Sequence, residues 1–155
     1  MKVAIGSDHA GFKLKTIVVD ELTKAKHEVV DVGTHSLDSV DYPDFAAKVG
    51  RMVAEGEVPR GIVICGTGVG VSIAANKIHG VRAVCCSDTF SAKMGRAHND
   101  ANVLCFGERV VGTGLAMELV SAFLGSEFEG GRHAIRVDKI RQLDSQAAGG
   151  GGSKC

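Results

Sequence analysis

Gly61-Ile62-Val63-Ile64-Cys65-Gly66-Thr67-Gly68-Val69-Gly70 is the stretch whose reading decides the fold. Its first half is continuously apolar and rich in β-branched residues, as in a strand buried on both faces. Its second half places glycine at alternate positions, and residues 71–78 then read as a short helix. A buried strand that turns through a glycine loop into a helix is one unit of a parallel α/β sheet.

The same unit recurs on both sides. Upstream, Lys2–Gly6 is a short apolar strand ending in Ser7-Asp8-His9, and residues 12–26 carry Leu14, Ile17, Val18 and Leu22 at helical spacing. Glu28–Val32 reads as a strand, and after a polar loop Pro43 opens a helix with Phe45, Val49, Met52 and Val53 on one face. Downstream, Arg82–Cys86 and Asn102–Phe106 read as strands, and Phe90–Ala97, Leu115–Leu124 and Ile135–Leu143 as helices. The expectation is an α/β, three-layer Rossmann-like fold: a five-stranded parallel sheet with helices on both faces, in one domain over residues 1–143. Ligands bind such sheets beyond the carboxyl ends of the strands.

Composition narrows the function classes. The 18 basic and 18 acidic residues cancel, so the basic excess of a nucleic-acid binder is missing. Apolar residues make up 45% but aromatics only 5%, so the core must rest on aliphatic side chains. No apolar run is long enough to span a membrane. The amino terminus enters a strand pattern at once, leaving no room for a signal peptide. The cysteines, Cys65, Cys85, Cys86, Cys105 and Cys155, are odd in number and form no CxxC pair, which points to reduced thiols and a cytoplasmic setting. Residues 144–155 end in GGGGSKC, a flexible-linker composition that reads as an engineered tail with Cys155 as an attachment thiol.

Four clusters could carry chemistry: Ser7-Asp8-His9, the loop from Cys65 to Gly70, His98-Asn99-Asp100, and Gly130-Gly131-Arg132-His133 with Arg136. The glycine loop exposes backbone N–H groups ahead of a helix, a setting for a phosphate or an oxyanion. It lacks the GK[ST] ending of a P-loop and the full GxGxxG of a dinucleotide fold. A plain tight turn is the bland alternative. Cys65 adjoins the loop, where a thiolate is favoured and could act as base or nucleophile. Cys85, Cys86 and Cys105 read as small buried hydrophobes. His9 and His98 fall where a proton could be moved at neutral pH. His27, His35, His79 and His133 read as ordinary surface histidines. Arg132 and Arg136 share a face if helical, and a phosphate between them would relieve their repulsion. Nothing matches a tight metal-ligand spacing such as HExxH, so no metal and no cofactor is expected.

Taken together and in order, GSDHAG, SVDYPDFA, CGTGVGVSIAANK, HNDANVL, GERVVG and GGRH closely resemble the ribose-5-phosphate isomerase B family, which includes galactose-6-phosphate and allose-6-phosphate isomerases. The likeness runs from residue 1 to about residue 143. Val69 and Val71 stand where the family often has bulkier residues, a change in packing beneath the loop. The resemblance implies aldose–ketose isomerisation of a sugar phosphate such as ribose 5-phosphate. It makes Cys65 the base that carries a proton between C2 and C1 through a cis-enediolate. Thr67 and the N–H groups of Gly66, Gly68, Val69 and Gly70 would hold the enediolate oxygens. His98 would open the sugar ring with help from Asp8. Tyr42 and Asn99 would contact the sugar, and His9, Arg109, Arg132 and Arg136 the phosphate. It also implies a homodimer or dimer of dimers whose sites mix residues of two subunits, the C-terminal helix reaching across to the neighbour. A six-carbon substrate is the near alternative. A nucleotide- or flavin-binding module, with Cys65 inert, is the distant one. A thiol redox role is disfavoured because no second cysteine lies near Cys65 in sequence.

Overall fold

The computed structural model describes residues 1–149. The strands are β1 (Lys2–Ser7), β2 (Glu28–Asp31), β3 (Arg60–Cys65), β4 (Ala83–Cys85) and β5 (Val103–Gly107). The helices are α1 (Phe12–Lys24), α2 (Tyr42–Ala54), α3 (Val69–Ala75), α4 (Thr89–Asn99), α5 (Thr113–Leu124) and α6 (Arg132–Gly149). All strand pairs are parallel, in the order β2-β1-β3-β5-β4, so the apolar strand read first is the central one.

Period-two alternation sends the two faces of the sheet into separate cores. Ile62 and Ile64 of β3 join Leu14 and Val18 of α1, Ala92 of α4, and Leu119 and Phe123 of α5. Val63 and Cys65 join Val49 and Val53 of α2 and Val71 and Ala75 of α3. Burial on both faces is why β3 is apolar throughout. Residues such as Ile62 and Val63 have no solvent-exposed surface, and each such side chain contributes about 1.5–3 kcal/mol of burial free energy.

Two features place the site. The chain leaves β1 for β2 on one side and takes up β3 on the other, so the carboxyl ends of β1 and β3 border the crevice where strand order reverses. Pro43 lies in the first turn of α2, where its sequence position placed the helix start, and Asp88 caps α4 by accepting the Ser91 N–H at 2.7 Å.

α6 differs from expectation at both ends. It begins at Arg132 rather than at residue 135, and it continues to Gly149, into the segment read as a flexible tail. Asp144, the first residue of that segment, is tied down: its carboxylate accepts the Gly80 N–H at 2.7 Å and faces His79 at 3.0 Å. The remainder, 150–155 with Cys155, lies outside the described residues. Among the described residues, no helix is long and apolar enough to cross a membrane.

Candidate active site

Cys65 is the last residue of β3 and is 5% exposed. Its Sγ accepts the Gly68 N–H at 3.1 Å, so the loop folds back over the sulfur. That fold requires glycine at 68. Its φ is +82°, and a Cβ there would come within 2.6 Å of the Phe106 backbone. The neighbouring loop after β5 is laced onto it, with the N–H groups of Glu108 and Arg109 donating to the carbonyls of Cys65 and Gly66 at 2.9 and 3.1 Å. Val69 donates to Thr67 Oγ1 at 3.3 Å. The first N–H groups of α3 have no partner within the helix, as at any helix start.

Other expected residues gather at this carboxyl edge. Asp8 is buried, and its Oδ1 accepts the N–H groups of Ala10 and Gly11 at 2.9 and 3.0 Å. His9 Nδ1 accepts the Val40 N–H at 3.2 Å, which leaves a neutral ring its Nε2–H to offer. The Tyr42 ring lies so near Gly70 that a Cβ there would meet it at 2.8 Å. A Cβ on Gly66 would meet the Arg109 guanidinium at 3.5 Å. Asp8, His9, Tyr42, Cys65 to Gly70 and Arg109 therefore form one constellation.

His98, Asn99, Arg132 and Arg136 do not join it. His98 and Asn99 close α4, which leads into the start of β5. That start pairs with the start of β3, at Gly61↔Val103. They thus lie at the amino edge of the sheet, about 13 Å of strand from Cys65 at ~3.3 Å per residue. The parallel register therefore keeps His98 away from the carboxyl edge of its own chain. The expected phosphate group is likewise divided: His9 and Arg109 stand at the carboxyl edge, and Arg132 and Arg136 on the first turns of α6, which packs on α4.

The amino-edge constellation contains residues that the sequence reading passed over. His133, read as a surface histidine, is 7% exposed, and its ring stacks on His98 with centroids 4.1 Å apart and planes 5° from parallel. Glu129, not singled out before, has its Oε2 3.7 Å from the Nε2 of each ring. Burial, then the neighbouring His98 and Arg132, hold His133 below the ordinary imidazole value despite Glu129. A helix begun at Arg132 would have revealed His133 one turn before the buried Val137. At the C-cap of α4, the Asp100 carboxylate takes the guanidiniums of Arg82 and Arg96, each at 2.8 Å, and so fixes the end of the helix.

Donor atoms of His98, Glu129 and His133 lie within 4.8 Å of one another, a convergence that no sequence spacing announced. Parallel rings, however, aim their lone pairs side by side rather than at one point. Of the other thiols, burial raises Cys105 and pushes Cys86 up to about 11. Cys85, expected to be buried, is exposed at the end of the edge strand β4.

Comparison with known proteins agrees with this architecture. A family model described as Ribose/Galactose Isomerase matches residues 3–140. Ribose-5-phosphate isomerase B of Escherichia coli is 53% identical over 145 residues, covering 94% of this chain and 97% of the relative. Ribose-5-P isomerase B of Listeria innocua is 41% identical over 146 residues, covering 94% and 99%. The solved structure of ribose-5-phosphate isomerase B from Clostridium thermocellum superposes with a TM-score of 0.94 at 55% identity, covering 95% of this chain and 99% of that one. That of Mycoplasma genitalium, determined with bound ribulose-5-phosphate, has a TM-score of 0.90 at 42% identity and covers 94% and 97%. Fold, length and motif order agree together, and this chain belongs to the ribose/galactose isomerase family of aldose–ketose isomerases.

Proposed function

We propose that this chain interconverts ribose 5-phosphate and ribulose 5-phosphate, with Cys65 as the base. The observation that carries the reading is the Cys65 sulfur, cradled by the Gly68 N–H at 3.1 Å at the crevice where strand order reverses. The thiolate takes the proton from C2 of the open aldose. The electron pair moves into the C1–C2 bond, and the carbonyl oxygen becomes the oxyanion of a cis-enediolate. A proton passes from O2 to O1 as the first proton returns to C1, which gives the ketose with no net change in atoms or electrons. Thr67 and the loop amides of Gly66, Val69 and Gly70 receive the developing charge, in the way preorganised donors stabilise such intermediates, while the Gly68 N–H holds the sulfur. Asp8, His9 and Tyr42 line the sugar path, with Arg109 beside the loop. Acid–base chemistry of this kind calls for neither metal nor cofactor.

The second set belongs to the neighbouring subunit of a two-fold dimer: His98 of the partner subunit opens the sugar ring, Asn99 of the partner subunit holds a hydroxyl, and the partner's Arg132 and Arg136 hold the phosphate. The division of the residues between opposite edges of one sheet supports this arrangement. So do Val69 and Ile73, one turn apart on α3, and Phe90 at the start of α4, which are 52%, 58% and 71% exposed beside the site and offer an apolar face to a second copy.

A panel of aldose 5- and 6-phosphates assayed for ketose formation tests the assignment. Ribose 5-phosphate is expected to be turned over fastest. Faster turnover of a six-carbon aldose phosphate would reassign the substrate and leave the isomerase chemistry in place. Arg132→Ala and Arg136→Ala are each expected to weaken binding of a sugar phosphate by about 1.5–3 kcal/mol, the worth of a charge-assisted hydrogen bond. Binding of the unphosphorylated sugar should change little. An equal loss for both ligands would put the phosphate elsewhere.

A further inference from the structure

We infer that His133 and Glu129 are positioning residues for His98, holding its imidazole in the plane and direction from which it can pass a proton to the ring oxygen of a cyclic sugar phosphate. The inference rests on the reading of His98 given above. It concerns ring opening, a step separate from the proton transfer at Cys65.

His98 stands in the last turn of α4 and is about a third exposed, at 36%. Left alone, such a side chain would sample several rotamers, and each misplaced one would present no proton to the substrate. Here one flat face rests on the His133 ring, 4.1 Å away and 5° from parallel. That contact sets the plane. The Glu129 carboxylate, 3.7 Å from Nε2, places a negative charge along that edge of the ring and biases the direction the ring faces. It stands equally far from His133 Nε2, so one carboxylate faces two imidazoles.

The supports are themselves fixed. The Glu129 N–H donates to the carbonyl of Ala97, the residue before His98, at 3.0 Å. Gly130 and Gly131 follow with φ of +67° and +54°, a backbone that side-chain-bearing residues rarely adopt. Their carbonyls accept the N–H groups of His133 and Ala134 at 3.0 and 3.1 Å, which starts α6 with His133 turned inward. The GGRH motif thus has a second use beside Arg132: its glycines aim the platform. Because Arg132 and Arg136 ride on the same turns of α6, phosphate capture and alignment of the proton donor share one rigid body.

The test separates ring opening from enolisation on the full-length protein. Ribose 5-phosphate is mainly a closed ring and must be opened, whereas ribulose 5-phosphate is open-chain. Exchange of its C1 hydrogen in D2O, followed by NMR, requires the Cys65 step alone. His133→Ala is expected to lower conversion of ribose 5-phosphate by about ten- to a hundredfold, the scale of a misplaced catalytic group, and to leave C1 exchange within about twofold. His133→Phe, which keeps a flat ring at the same place, should retain most of the conversion. Glu129→Gln should lower conversion without changing exchange. Equal losses in both assays would make His133 merely structural, and no loss in either would remove its role. A phenylalanine variant as poor as the alanine variant would overturn the platform. Activity lost to EDTA and restored by one divalent ion would recast the cluster as a metal site and overturn the inference. A wild-type protein inactive in both assays would instead refute the proposed function, and a His98→Ala variant with intact conversion would refute the reading of His98 on which the inference stands.

Discussion

Cys65→Ala is expected to lower turnover of ribose 5-phosphate by about 10²- to 10⁴-fold, the cost of losing a positioned base, while substrate binding survives. The sulfur lies at the end of the central strand, almost out of solvent, with one backbone N–H aimed at it. Removing it takes away one atom of modest volume and leaves the loop geometry to Gly68 and the Phe106 backbone. Among the described residues, no other thiol ends a strand beneath the glycine loop as Cys65 does. Cys105 is wholly buried in β5, and burial pushes Cys86 up to about 11. Cys85, exposed at the end of the edge strand, is also raised, by partial loss of water around the sulfur and then by the nearby Cys65. Turnover, affinity for a competitive inhibitor and thermal unfolding should be measured on one preparation. Affinity and melting temperature near wild type with turnover collapsed is the expected pattern. Turnover near wild type would take Cys65 out of the mechanism. A Cys65→Ser variant sharpens the test, since the hydroxyl can still accept the Gly68 N–H but is a far weaker acid than a thiol.

Mixing two inactive variants is expected to restore activity. Cys65→Ala damages the carboxyl-edge set of a chain, and His98→Ala damages the amino-edge set. If each site draws one set from each subunit, a dimer with one variant of each kind has one site with both lesions and one site with neither. Random exchange makes about half the dimers mixed, so activity should approach roughly a quarter of wild type. The separation of the sets across the sheet motivates the experiment, because β3 and β5 run parallel and keep Cys65 and His98 at opposite ends. Proven subunit exchange without recovery would mean that a chain uses its own pair, and the shared-site arrangement would fall.

The apolar run of Gly61–Cys65, the period-two and helical patterns around it, and the glycines after it were sufficient to place the sheet, its central strand and the Cys65 loop. Those features are local: a strand buried on both faces must be apolar at every position, and a loop that folds over its own sulfur needs a residue free to take positive φ, as Gly68 does. The tertiary structure alone decided how the remaining site residues group. His98 and Cys65 are each recognisable as proton-moving side chains, but strand order and the parallel register put them at opposite edges. The His98–His133 stack joins residues on different helices, and no period along the chain encodes it. It arises because α6 packs on α4, and its first turn is set by two glycines whose backbone angles are invisible in a pattern of polar and apolar letters. Periodicity tells which face of an element is buried; which neighbour covers that face is settled only when the elements pack.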